Sequence, residues 1–418
     1  MHDGSYDALI IGGGPGGSTT ATYLAKAGKR VLVLEKETFP RFHIGESLLP
    51  YNRAIFEEMG VLPVLMQAGF PRKLGAQFLL GNGQRSVGFV FRQGKFTRET
   101  EAIQVERAKF DHLLLNHARS SGAEVREGIT VTRFESQPEQ VLIEAKDRSG
   151  ERLQFRGGFL IDASGRGNFT GNQEGLREIH PRLKKLALFG HFTGVKLDPG
   201  EKGGDTVIVR LANKWFWIIP ISAEKTSVGC VMDQEEFARS KSAPDELFRR
   251  IWQSSPPLCE RMACARLVSP IQMTSDFSYH NRKLCGPRLL RVGDAAGFLD
   301  PIFSSGVFLA MYSGRLAAKS VLEALAQGDD GAGIFQRYEK RVFRGLHFYW
   351  EMVENFYTTP FMEVFLSPRE KYQLASAVNA ALAGELEGSW NLRWRMRLFF
   401  WLVKLQAKRP FLPRVTFD

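Results

Sequence analysis

Near its start the chain carries an unbroken apolar run, Tyr6–Ile11, with the character of a parallel strand buried on both faces. A glycine cluster, Gly12-Gly13-Gly14-Pro15-Gly16-Gly17, interrupts it, and apolar positions then recur at helical spacing through Ala21, Leu24 and Ala25 to Gly28. A second apolar run, 31–34, ends on Glu35. Strand, glycine turn, helix, strand and acid at this spacing predict a dinucleotide-binding βαβ unit. Gly12 permits the tight turn, Gly14 lets the backbone approach a pyrophosphate, and Gly17 lets helix pack on strand. The free N–H groups and positive dipole end of the helix face the phosphates, and Glu35 accepts hydrogen bonds from a ribose.

Further along, strand-like stretches at 76–91, 186–197 and 206–232 include hairpin candidates. Another short strand at 289–292 runs into Gly293-Asp294-Ala295-Ala296-Gly297, and a helix is expected over 307–326. From about residue 330 the pattern is helical. The predicted class is α/β (α+β): a Rossmann-type fold, an interleaved and mainly antiparallel substrate domain, and a helical C-terminal region. The cofactor domain is assigned to 1–75, 100–180 and 283–330, the substrate domain to 76–99 and 181–282, and the helical region to 331–418.

Composition narrows the class. With 44% hydrophobic and 24% charged residues the chain reads as globular rather than disordered. Cys230, Cys259, Cys264 and Cys285 form neither a CxxC pair nor a metal-ligand cluster, so no metal and a reduced, cytoplasmic protein are expected. No signal peptide or membrane-spanning run is recognised. The net charge is +11, yet no nucleic-acid motif accompanies it. Residues 389–418 hold seven basic residues and one acid. Within them Trp390, Trp394, Leu398, Trp401, Leu402 and Leu405 recur at helical spacing, with Arg393, Arg395, Arg397, Lys404 and Lys408 between, up to Pro410 and Pro413. Three roles suit such a helix: a peripheral seat on anionic membrane, a dock for an acidic carrier protein, or packing of its aromatic face on its own domain. The concentrated charge favours a carrier or lipid-linked substrate.

The segment Gly293–Gly306 resembles the second FAD motif of flavoprotein monooxygenases, which implies FAD with Asp294 at its ribityl or phosphate region. Ile161-Asp162-Ala163-Ser164-Gly165 and Arg107 are similar to other cofactor-contacting positions of that superfamily. Three segments resemble the flavin-dependent halogenase branch: Gly45-Glu46-Ser47 as its GES motif, Trp215-Phe216-Trp217-Ile218-Ile219-Pro220 as WxWxIP, and the stretch around Lys73 as that carrying its active-site lysine. The resemblance implies that Glu46 and Ser47 belong to the cofactor site. It makes Trp215, Trp217 and Pro220 a wall that denies substrate direct access to the flavin. It places halide at the backbone of Ser305 and Gly306, where free N–H groups suit an anion. It implies halogenation through a flavin C4a-hydroperoxide and hypohalous acid captured by Lys73, whose amine needs burial or a nearby cation to lose its proton.

Phe303 stands where tryptophan halogenases of this family carry glutamate, so the resemblance implies an electron-rich phenol or pyrrole, free or tethered to a carrier protein. With one dinucleotide fingerprint present, the FAD is expected to arrive reduced from a separate flavin reductase. Two other classes share these features: a reductase or monooxygenase of geranylgeranyl-reductase type acting on a lipid or aromatic substrate, and a non-catalytic flavoprotein. The aromatic stretch Phe348, Tyr349, Trp350, Phe356 and Tyr357 is a candidate cover for the substrate entrance, or simple helical core.

Overall fold

The computed structural model describes residues 5–275, 278–368, 371–386, 388 and 390–417. Its first large sheet sets Val31–Glu35, Tyr6–Ile11, Arg152–Asp162 and Leu289–Arg291 side by side and parallel. Glu124–Glu127 lies parallel beyond Val31–Glu35, and a hairpin of Thr130–Ser136 and Val141–Lys146 continues antiparallel onto Arg152–Asp162. All of Val31–Glu35 and all of Tyr6–Ile11 except Asp7 are buried, which is why these runs carry no polar alternation.

The helix Pro15–Lys26 follows the glycine turn and packs on the helix Ser305–Gln327 at backbone contact. A Cβ on Gly314 would lie 2.6 Å from the Gly16 carbonyl oxygen, and Thr20 donates its hydroxyl to the Gly314 carbonyl at 3.2 Å. Ser305–Gln327 thus begins beside the glycine turn, which brings the two ends of the cofactor signature together.

The second large sheet orders Arg266–Leu267, Lys185–Thr193, Thr226–Asp233, Trp215–Pro220, Thr206–Arg210, Gly75–Leu80 and Ser86–Val90, antiparallel except where Thr206–Arg210 meets Gly75–Leu80. Alternation along Trp215–Pro220 sends Trp215, Trp217 and Ile219 toward the first sheet, and Phe216 and Ile218 into a separate core. That outer core is closed by the helices Pro244–Gln253 and Pro256–Met262. Neither helix was anticipated. Their signals are a proline at the first helical position and, in one, Asp245 and Glu246 in the first turn.

The C-terminal region is helical as expected: Ala332–Phe356, Thr359–Phe365, Leu374–Ala383 and Trp390–Lys408. Glu363, fully buried, accepts from Gln406 at 2.7 Å and from Arg414 at 3.3 Å, which ties the last residues to these helices. One expectation is corrected. Trp390–Lys408 does not pack its tryptophan face on the domain; it buries Leu392, Met396, Phe399, Phe400 and Val403, while Trp390 and Trp401 are exposed. The buried residues follow the same three- and four-residue spacing, so the sequence carries two overlapping apolar periods and spacing alone does not choose between them. The acid of this segment, Asp418, and Ser389 lie outside the described residues. Among the described residues no helix is long and apolar enough to cross a membrane, and no three His, Cys, Asp or Glu side chains gather as a metal site.

A Cβ at position 17 would sit 1.9 Å from the backbone oxygen of Gly12. Gly17→Ala is therefore expected to destabilise the fold by roughly 1–3 kcal/mol and to release FAD, as overpacking against rigid backbone does. Thermal unfolding and flavin retention through gel filtration check this; a variant that melts and holds FAD like the parent contradicts the assigned contact.

Candidate active site

Between the two sheets lies a cavity of about 520 Å³. Its floor is the glycine turn: Gly12, at φ +99°, makes the bend that only glycine adopts freely, and Gly14 lines the cavity with the Arg41 guanidinium 3.4 Å from where its Cβ would be. Glu35 ends the second strand with its carboxylate fixed by the N–H groups of Gly13 at 2.7 Å and Glu37 at 2.8 Å. Gly17 is packed behind the turn, as its Cβ-free contact requires.

One wall is the segment after the second strand. Arg107, at the start of the helix Arg107–Ser120, makes a two-pronged ion pair with Asp111 at 2.8 and 2.9 Å and donates to the Ile44 carbonyl at 2.7 Å. It is buried, not a surface pair, and Arg41 shares Asp111 at 3.0 Å. Glu46 is buried, and one carboxylate oxygen is hydrogen-bonded to His191 at 2.6 Å. Burial opposes charge on His191, but the bond to Glu46 and its negative charge raise the imidazole above its ordinary pKa. The other Glu46 oxygen has no hydrogen-bond partner, although the residue lines the cavity.

The opposite wall comes from the second sheet and the second glycine motif. Trp215 and Trp217 line the cavity with ring centres 5.8 Å apart; Ile219 lines it on the same strand, whereas Pro220, also buried, does not. Their indole N–H groups are satisfied by Tyr357 at 2.9 Å and Ser227 at 3.0 Å. Gly229, opposite Trp217 in the pairing, leaves the space in which that ring lies, since a Cβ there would meet it at 2.2 Å. Asp294 faces the cavity, and burial pushes its carboxyl up to about 6 against the pull of Arg166 and Arg107. At the start of Ser305–Gln327, Ser304 and Gly306 line the cavity, while Ser305 is buried and turned away from its lining.

Lys73 lies just behind this wall. It sits in the two-residue strand Arg72–Lys73, paired with Ala102–Ile103, and is almost wholly buried. Its amine donates to Ser47 Oγ at 2.8 Å and to the Leu48 carbonyl at 3.0 Å, with the Phe91 ring centre at 5.7 Å. Ser47 is also hydrogen-bonded to Thr206 at 2.8 Å, and these two hydroxyls line the cavity. Burial lowers the Lys73 pKa to about 7, although Asp205 pulls it back. Arg72 is exposed and paired with Glu101, so burial rather than its neighbour sets the lysine's chemistry.

Sequence reasoning missed His191 and Thr206, and it gave neither Asp300 nor Tyr357 its hydrogen-bonding role. Tyr357 donates to Asp300 at 2.7 Å while accepting from Trp215, so the end of Ala332–Phe356 is bonded to both the tryptophan strand and the loop before Ser304. Phe356 meets Phe303 edge-on at 5.7 Å. The aromatic stretch thus closes over this loop, with Tyr349 and Phe356 in the core. No local motif marks His191 or Thr206; only the fold brings them in.

Residues 5–355 match the family described as FAD binding domain. A Pseudomonas fluorescens 1H-pyrrole-2-carbonyl-[peptidyl-carrier protein] chlorinase is 34% identical over 381 residues, covering 85% of this chain and 84% of that protein. This chain belongs to the flavin-dependent halogenases. A tryptophan 2-halogenase of Chondromyces crocatus is 35% identical over 351 residues, 82% of this chain and 66% of that protein. The structure of the flavin-dependent brominase Bmp2 superposes with a TM-score of 0.85 at 29% identity, covering 97% of this chain and all of the other.

As an FAD-dependent oxidoreductase of this family, the chain offers residues that fit the cofactor. Gly14, the helix end behind it and the Arg41 guanidinium beside it would suit a pyrophosphate, and Glu35, which lines the same cavity, would meet the ribose. The unpartnered Glu46 oxygen is a buried acceptor awaiting a donor. Bound and reduced, FAD supplies with O2 and halide the electrophilic halogen of the family's reaction.

Lys73 links pH to stability. Its folded pKa of about 7 lies below that of an unfolded lysine, about 10.4. Between these values the unfolded chain binds more protons, so this group makes stability rise with pH; below about 7 both states are protonated and the burial cost is felt in full. Lys73→Met is expected to unfold at higher denaturant than the parent at pH 6, with the gap narrowing toward pH 9. An unchanging gap across that range would show that the amine is not desolvated.

Proposed function

We propose that the chain halogenates an electron-rich ring, a pyrrole or phenol carried on an acidic carrier protein, with Lys73 delivering the halogen. The observation that carries this is the Lys73 amine, buried, held on Ser47 at the cavity edge and near pKa 7. At neutral pH a substantial fraction of it has a free lone pair. That lone pair takes halogen from hypohalous acid: an N–X bond forms as X–O breaks, and the hydroxide leaves with the amine's proton as water. The ring then attacks the halogen, the N–X bond breaks, and the ring loses a proton. Halide is proposed to bind at the backbone of Ser305 and Gly306, at the helix start where Gly306 and the preceding Ser304 line the cavity.

The substrate class follows from what surrounds Phe303. That ring is buried against Phe356, and the neighbouring carboxylate, Asp300, is occupied by Tyr357. No carboxylate at position 303 stabilises a cationic ring intermediate, so the ring must supply its own electron push. Support for the carrier comes from the chlorinase above, whose name specifies a carrier-bound pyrrole. The reduced cofactor is proposed to come from a separate flavin reductase, because the chain shows one dinucleotide fingerprint.

Two experiments test this. Mass spectrometry of reactions with halide, O2, FAD, NADH and a flavin reductase should show halogenated pyrrole or phenol on carrier protein, little halogenated free tryptophan, and nothing when the reductase is omitted. Preferred turnover of tryptophan, judged by kcat/KM, would overturn the assignment of Phe303. In the same assay Lys73→Ala and Lys73→Arg should retain FAD and lose product by roughly 100-fold or more, guanidinium being protonated at every working pH. The parent's rate should rise with pH through about 7 as the amine deprotonates. Full product from either variant removes Lys73 from the chemistry.

A further inference from the structure

The helix Trp390–Lys408 is apolar on two opposite sides. Its buried side, centred on Met396, Phe399 and Val403, packs on the helices beneath; Phe399 meets Phe361 edge-on at 5.5 Å. Its outward side carries Trp390, Trp394, Leu398, Trp401 and Leu405, which steps of four, four, three and four residues set along one line. Trp390 is 70% exposed and Trp401 56%, and the other three are half-buried. Just past the helix, Phe411 is 42% exposed.

A second line runs beside the first. Arg393, Arg397, Lys404 and Lys408 are all exposed, and among the described residues none of them makes an ion pair. Residues 390–417 contain no acid, and Lys404 feels a carboxylate only at a distance, from Glu351 on a neighbouring helix. Arg395 lies on the other flank of the tryptophan line, stacked on Trp394 at 4.3 Å and bonded to the Tyr372 carbonyl at 2.8 Å.

Exposed indoles and unpaired cations in parallel rows call for an occupant that is apolar at one depth and anionic at the next. The row from Trp390 to Leu405 is roughly 22 Å long at 1.5 Å per residue. A protein partner gathers its anchors around one pocket, whereas a straight row matches a plane. Tryptophan prefers the headgroup level of a bilayer, leucine the acyl boundary, and flanking arginine and lysine the anionic surface.

We propose that the outward face of Trp390–Lys408 seats this protein on an anionic lipid surface. The seat is peripheral, since the opposite face of the same helix is part of the protein's core. It is independent of the substrate assigned above.

The test uses the full chain loaded with FAD and vesicles of phosphatidylcholine, with and without phosphatidylglycerol. Co-sedimentation is expected with the anionic vesicles only, weakened by salt, with a blue shift of tryptophan emission. W390S/W401S should lower the partition coefficient roughly tenfold or more, and R393E/R397E/K404E by roughly 100-fold, as loss of interfacial aromatics and of surface cations predicts. Both variants should keep the parent's FAD content and unfolding midpoint, which separates loss of the seat from loss of fold. Absence of binding to anionic vesicles, or binding undiminished in both folded variants, overturns the proposal. So does a third result: no vesicle binding, but capture of an acidic acyl carrier protein that R393E/R397E/K404E abolishes, which assigns the face to the carrier instead.

Discussion

Contact of backbone with backbone, where side chains have been deleted, is the constraint on which the rest of this molecule depends. Gly16 and Gly314 bring the helix Pro15–Lys26 against Ser305–Gln327 more closely than side chains would allow, and Gly293 approaches the same long helix, with Ala310 where its Cβ would be. Helices ordinarily stand about 8–10 Å apart at the axes. Here the closer approach fixes the start of Ser305–Gln327, and so Ser304 and Gly306, relative to the glycine turn. Both walls of the cofactor cavity are referred to this one joint.

The second sheet then divides labour by alternation. Along Trp215–Pro220 one face lines the cavity and the other closes a core of its own, so the tryptophan wall is anchored from behind by Phe216 and Ile218. Its front is held by hydrogen bonds rather than by packing alone: Trp217 on Ser227, Trp215 on Tyr357. Burial acts on Lys73 as well. An ammonium ion held by the Ser47 hydroxyl and the Leu48 carbonyl beside the Phe91 ring lacks the solvation it needs, and Asp205 returns only part of it.

What was legible in the sequence was what local pattern encodes. The βαβ unit at residues 6–35 is read from period, glycine and acid together, and the second glycine motif and the WFWIIP strand from composition at short range. The fold class and the family follow from those. What was not legible depended on two apolar periods in one segment, or on partners far apart in the chain. Trp390–Lys408 satisfies helical periodicity twice, and only the packing beneath it selects Met396 and Phe399 for the core. His191 and Tyr357 are ordinary residues in a strand and at a helix end until the fold sets Glu46, Trp215 and Asp300 beside them. Pro220 was named from a motif, and its strand neighbour Ile219 is the one that lines the cavity, because a motif records sequence position and not the direction of a side chain.

The order of strands in the first sheet has a consequence for how the molecule is made. Tyr6–Ile11 and Arg152–Asp162 are neighbours, and Leu289–Arg291 completes the row. More than two thirds of the chain must leave the ribosome before that strand exists, and the helix that closes the joint with Gly16 comes later still. Until then the edge of the sheet at Arg152–Asp162 and the glycine turn stand uncovered. Long-range closure of this kind is slow and leaves apolar strand edges open to aggregation until the later segments arrive.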